Sequence, residues 1–111
     1  DVYKRQLLQR LVVACQRCDL VESYAIQEMD EDILSTRVSL SDGSFISVFY
    51  NVATAKVAFA LIKEKRLYGK DNAKMGWHVH PFDDPEGHYP CEPVDFEGFL
   101  KEVERHFSDR S

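Results

Sequence analysis

The chain has 111 residues, 44% hydrophobic and 30% charged, enough for one domain with its own core and against wholesale disorder. Its longest apolar runs, Leu11 to Cys15 and Val57 to Ile62, fall far short of the roughly 20 residues that cross a bilayer. A net charge of −5 argues against general nucleic-acid binding while leaving room for a small basic site.

No signal-peptide pattern opens the chain. Three cysteines, an odd number, do not make a secreted disulfide framework, so a cytoplasmic location is expected. The first six residues, Asp1-Val2-Tyr3-Lys4-Arg5-Gln6, resemble one reading frame of a transposase end sequence used to build sequencing libraries. They are set aside from fold reasoning as a translated scar. Residues 7–111 are then expected to form a single domain, one charge unit more acidic than the whole.

Leu7, Leu8, Leu11, Val12 and Cys15 share one helical face, opposite Gln9, Arg10, Gln16 and Arg17, which predicts an amphipathic helix ending near Cys18-Asp19. From Leu20 to Met29 the pattern alternates and reads as a strand. Asp30-Glu31-Asp32 makes an acidic turn, and Leu34, Thr36, Val38 and Leu40 alternate with polar residues in a half-buried strand. Ser41-Asp42-Gly43-Ser44 is the best turn signal, since glycine supplies positive φ without a steric cost. Phe45 to Tyr50 returns as the next strand. Lys56 to Lys63 has the composition of a helix, but Val57, Phe59 and Leu61 alternate. A strand is preferred because it continues the meander. Arg66 to Gly69 predicts one more short strand.

Asp71 to Glu92 holds three of the four histidines, three of the four prolines and the only tryptophan. It reads as a long irregular segment with an extended piece at Trp77 to Pro81, the kind of loop that often carries function. Phe96, Phe99, Leu100, Val103 and Phe107 then mark a C-terminal helix with Asp95 as its N-cap. The fold expected is α+β: an antiparallel β-meander of about four or five strands, flanked by an N-terminal and a C-terminal amphipathic helix.

Within Trp77-His78-Val79-His80-Pro81, an extended backbone puts His78 and His80 on one side. Two imidazoles there can serve as acid and base, or bind a metal together with His88, Asp83, Asp84 or Glu86. The plain alternative is a loop whose rings pack locally. Cys15-Gln16-Arg17-Cys18 has zinc-type spacing, with Cys91 as a third thiol, but no second pair completes a four-ligand site. Lys63, Lys65, Arg66, Lys70 and Lys74 could contact phosphate, or simply solvate an edge strand. Asp71-Asn72 could start a turn, or Asp71 could orient a histidine.

The layout resembles the TumE-type toxin family or an uncharacterised relative of it. The resemblance lies in the Ser41-Asp42-Gly43-Ser44 hairpin, the extended segment ending in Arg66-Leu67-Tyr68-Gly69-Lys70-Asp71-Asn72, and the Trp77–Pro81 block followed by a helix. The family's Asp-Asn pair is followed closely by Pro-His, whereas Ala73-Lys74-Met75-Gly76 intervene here. The resemblance implies a prokaryotic toxin–antitoxin protein with a helix-turn-helix antitoxin as partner and RNA as a plausible substrate. It does not supply the reaction: a ribonuclease needing no cofactor is the plausible enzymatic form, in which His78 and His80 could be base and acid, Asp71 could orient one of them, Arg66 or Lys70 could hold the phosphate, and Asn72 and Trp77 could add binding contacts. Two other functions stay open: a non-catalytic protein-interaction domain, and a metal-binding domain at His78 and His80.

Overall fold

A computed structural model describes residues 2–74 and 76–110, so Asp1, Met75 and Ser111 lie outside the described residues. Helix α1 (Val2–Gln16) is followed by strands β1 (Val21–Met29), β2 (Ile33–Leu40), β3 (Phe45–Asn51), β4 (Lys56–Lys63), β5 (Lys65–Asp71), β6 (His78–His80) and β7 (Tyr89–Pro90), then helix α2 (Phe96–Arg110). The strands form one antiparallel sheet in chain order, β1 to β7. The fold is the α+β meander with two flanking helices that the patterning predicts. The sheet has seven strands rather than four or five. The two extra strands, β6 and β7, are three and two residues long; β6 lies within the extended piece expected at Trp77 to Pro81, and β7 is too short for an alternating pattern to show.

Helix α1 runs through Val2 to Gln6, the residues set aside above. Lys4 is buried there, and its ammonium donates to the Asp30 carbonyl. At the other end Asp95 caps α2 as expected, its Oδ1 accepting from Gly98 N (2.8 Å) and its carbonyl from Phe99 N (3.0 Å).

The register sorts the strand side chains into two faces. Leu34 lies opposite Tyr50, Thr36 opposite Val48, Ile46 opposite Leu61, and Phe59 opposite Lys70. This face carries the core and is covered by the helices. Phe59 sits at its centre, with ring centroids 5.9 Å from Tyr50, 6.0 Å from Phe96 and 5.4 Å from Phe99. Removing a fully buried ring of this kind costs about 3–5 kcal/mol. The opposite, open face carries Ser35, Arg37, Ser47, Phe49 and Ile62. There the Arg37 guanidinium lies 3.5 Å over the Phe45 ring.

The β2–β3 hairpin turns as its residues dictate. Gly43 has φ +90°, and Leu40 N donates to Ser44 O (2.9 Å). Burial alone would raise the Asp42 pKa, but hydrogen bonds from the Ser44 hydroxyl and amide, with Lys63 beside them, lower it. No helix among the described residues is long and apolar enough to cross a membrane.

Candidate functional site

The site is a consequence of the period-two alternation at the β5–β6–β7 end of the sheet. Asp71 lies opposite His78, and Gly69 opposite His80. Strand β7 then brings His88 alongside, its ring centroid 4.5 Å from that of His80 and 6.2 Å from that of His78. All these residues share the open face, away from both helices. His78 and His80 therefore do point to one side, as an extended backbone requires.

His80 is the buried member of the group, 3% exposed. Its Nδ1–H donates to Gly87 O (2.9 Å), because a carbonyl can only accept. Its Nε2 lies 3.2 Å from Asp71 Oδ2. With both nitrogens protonated the ring donates to both oxygens, whereas a neutral ring can donate to only one. Asp71 is fully employed as well, since its Oδ1 accepts from Ala73 N (3.0 Å). It orients a histidine and starts a turn at once. At Gly69 a Cβ would sit 3.1 Å from the Phe59 carbonyl oxygen and 3.3 Å from Arg66 Cδ, both tight, and at an ordinary contact distance of 3.6 Å from the His80 ring.

His78 and His88 differ from His80. His88 is exposed and His78 half-buried, and neither ring hydrogen-bonds to another described residue. They are the imidazoles with nitrogens available to a ligand. The loop between β6 and β7 that delivers His88 is pinned at four points. Arg66 Nη2 donates to Pro85 O (3.0 Å) on the open face, and His80 holds Gly87. Tyr89 OH donates to Asp84 Oδ2 (2.7 Å), which raises the Tyr89 pKa. On the helix face Phe82 stacks between Tyr68 (4.2 Å) and His106 (3.5 Å).

Three of the residues expected to bind lie elsewhere. Lys70 projects to the helix face, where its Nζ is 2.7 Å from Glu102 Oε2. Glu102 Oε1 also accepts from Tyr68 OH (2.8 Å), and burial together with this carboxylate raises the Tyr68 pKa. Asn72 closes the β3–β4 turn: its Oδ1 accepts from Val57 N (2.7 Å) and its Nδ2 donates to Ala55 O (2.8 Å). Trp77 packs toward Phe59 at the margin of the core, with centroids 6.5 Å apart. Arg66, His78, His80 and Asp71 are the expected residues that share the open face.

Two contributors have little sequence signal. His88 stands out in the sequence only as a candidate metal ligand, because nothing local pairs it with His80. Glu102 has no motif of its own, although its place between Phe99 and Val103 puts a carboxylate at the border of the buried helical face.

Among the described residues, no three His, Cys, Asp or Glu side chains form a set that could hold a metal ion. Cys15 and Cys18 are buried at the end of α1, Cys91 is half-buried, and none is in a disulfide. Burial, with Cys18 next to it, pushes the Cys15 thiol up to about 11, so it behaves as a small apolar side chain.

No family model, curated protein or solved structure matches this chain.

Proposed function

We propose that this chain is a toxin-like ribonuclease that uses His78 and His88 as its base and acid. The observation that carries this reading is the pair of unbonded imidazoles, 6.2 Å apart between centroids, standing beside a buried His80 fixed by Asp71 and Gly87. RNA cleavage by the 2′-hydroxyl needs a base for that proton and an acid for the departing 5′-oxygen, placed on opposite sides of the phosphorus. Rings this far apart can bracket a phosphate through hydrogen bonds of about 3 Å at each end. Arg66 stands on the same face and supplies the cation for the phosphate. In this scheme His80 is a positioning residue rather than a reacting one, because both its nitrogens are engaged. The chemistry requires no metal.

The toxin role, the helix-turn-helix antitoxin partner and the cytoplasmic setting rest on the family resemblance. The unpaired Cys15, Cys18 and Cys91 suit a reducing compartment.

The test is cleavage of an end-labelled RNA in the presence of EDTA, alongside growth on induced expression. His78→Ala and His88→Ala should each lower the rate by about 10²-fold or more, and an all-2′-deoxy version of the substrate should stay intact. Lys70→Met should cleave normally. If both histidine variants cleave RNA at the wild-type rate, the assignment fails.

A further inference from the structure

The opposite end of the sheet is built differently. Strand β1 is nine residues long, and among the described residues its outer edge pairs with no strand. At about 3.4 Å per residue it offers roughly 30 Å of unpaired backbone donors and acceptors. Sheets commonly protect such an edge with lysine, proline or bulges. Strand β1 has no lysine and no proline. Its two register shifts lie between Val21 and Ser23 and between Ile26 and Glu28, leaving Ser23–Ile26 in regular pairing.

The side chains beside that run are unusual for an exposed edge. Tyr24, Ile26 and Met29 are 41%, 48% and 44% exposed. Their partners Val38, Thr36 and Leu34 place all three on the helix face, where α1 leaves them uncovered. Within the segment itself the charge has one sign: Asp19 to Asp32 contains six carboxylates and no Lys, Arg or His, the nearest cations being Lys4 at the Asp30 carbonyl and Arg37 opposite Ala25. This signature differs from that of the histidine face, which lies five strands away, on the order of 24 Å at sheet spacing.

We propose that β1 is the docking edge for an extended basic peptide, in which Lys or Arg alternates with apolar residues, added as an eighth strand. Backbone hydrogen bonds would supply the pairing, Tyr24 and Ile26 the apolar contacts, and the flanking carboxylates the choice of a cationic partner. A second copy paired antiparallel about a two-fold axis at Ala25 sets Glu22 against Glu28, and like charges directly opposed are destabilising. The inference does not depend on the ribonuclease reading.

The test uses fluorescein-labelled nine-residue peptides of alternating Lys-Val and alternating Glu-Val, titrated into the full chain at low salt with amide exchange read in parallel. The Lys-Val peptide should bind and slow exchange at Ser23–Ile26, and the Glu-Val peptide should not. The double variant Glu22→Lys, Glu28→Lys should weaken Lys-Val binding by about tenfold or more. Tyr24→Ser with Ile26→Ser should weaken it with the acidic residues left in place. Equal binding of both peptides, binding of neither, or protection confined to other strands overturns the proposal. So does concentration-dependent protection of β1 without any peptide, which would mean that copies of the chain pair with each other.

Discussion

Lys70 and Asp71 are neighbours in the chain and serve opposite faces of β5. Lys70 reaches Glu102 of α2 across the helix face, and Asp71 reaches His80 across the open face. One ties the sheet to the helix; the other fixes the floor of the histidine site. Substitutions at the two positions should therefore give different outcomes.

Replacing Lys70 with Met leaves Glu102 with only the Tyr68 hydroxyl. The Lys70 side chain is 13% exposed and Glu102 31% exposed, so the pair is sheltered but not sealed. The expected loss is about 1–2 kcal/mol in urea unfolding, with RNA cleavage unchanged. A matching loss of cleavage at temperatures where the variant is folded would place Lys70 in the site after all.

Asp71→Ala removes the acceptor for both Ala73 N and His80. A cost of about 1–3 kcal/mol is expected from the unpaired groups, with faster amide exchange at Gly87 and His88 and slower RNA cleavage. Asp71→Asn can still accept from Ala73 N and donate its amide to the neutral His80 ring. It should recover most of the stability and the loop protection. Equal damage from both variants would show that hydrogen bonding is not what Asp71 provides.

Thr36 lies on the core face of β2, and its hydroxyl has no hydrogen-bond partner among the described residues. A buried hydroxyl without a partner carries a desolvation cost that valine, of nearly the same shape, avoids. Thr36→Val should raise stability by about 1 kcal/mol in the same urea assay. A decrease would mean that the hydroxyl is satisfied in solution.

Alkaline pH should weaken the fold through Cys15. Its thiol is raised from 9.0 to about 11 by burial and by Cys18. A group whose folded pKa is raised gives stability that is fully present below the unfolded value and lost as pH rises through the folded one. The urea midpoint should therefore fall between pH 9 and about 11, less steeply in Cys15→Ala. Tyr50 and Tyr68, both raised by burial, act in the same direction at still higher pH. At pH 8 an alkylating reagent should label Cys15 only as the chain unfolds.

The sequence by itself determined the order of the elements. Alternation in β2, β3 and β4 is visible because each strand buries one face. Gly43 is decisive because only a residue without Cβ takes φ +90° at no cost. The spacing from Phe96 to Val103 marks α2 because a helix returns to the same face every three or four residues. Alternation also put His78 and His80 on one side. What it could not say is which side, because a period of two fixes relative and not absolute orientation. Only strand pairing decided that: Phe59 opposite Lys70 sends Lys70 toward the helices, and Asp71 opposite His78 sends both away from them. Strand β7 is too short to carry a pattern, and both β6 and β7 join the sheet only through their neighbours. His88 comes to His80, and Glu102 to Lys70, through contacts distant in the chain, which no local spacing encodes.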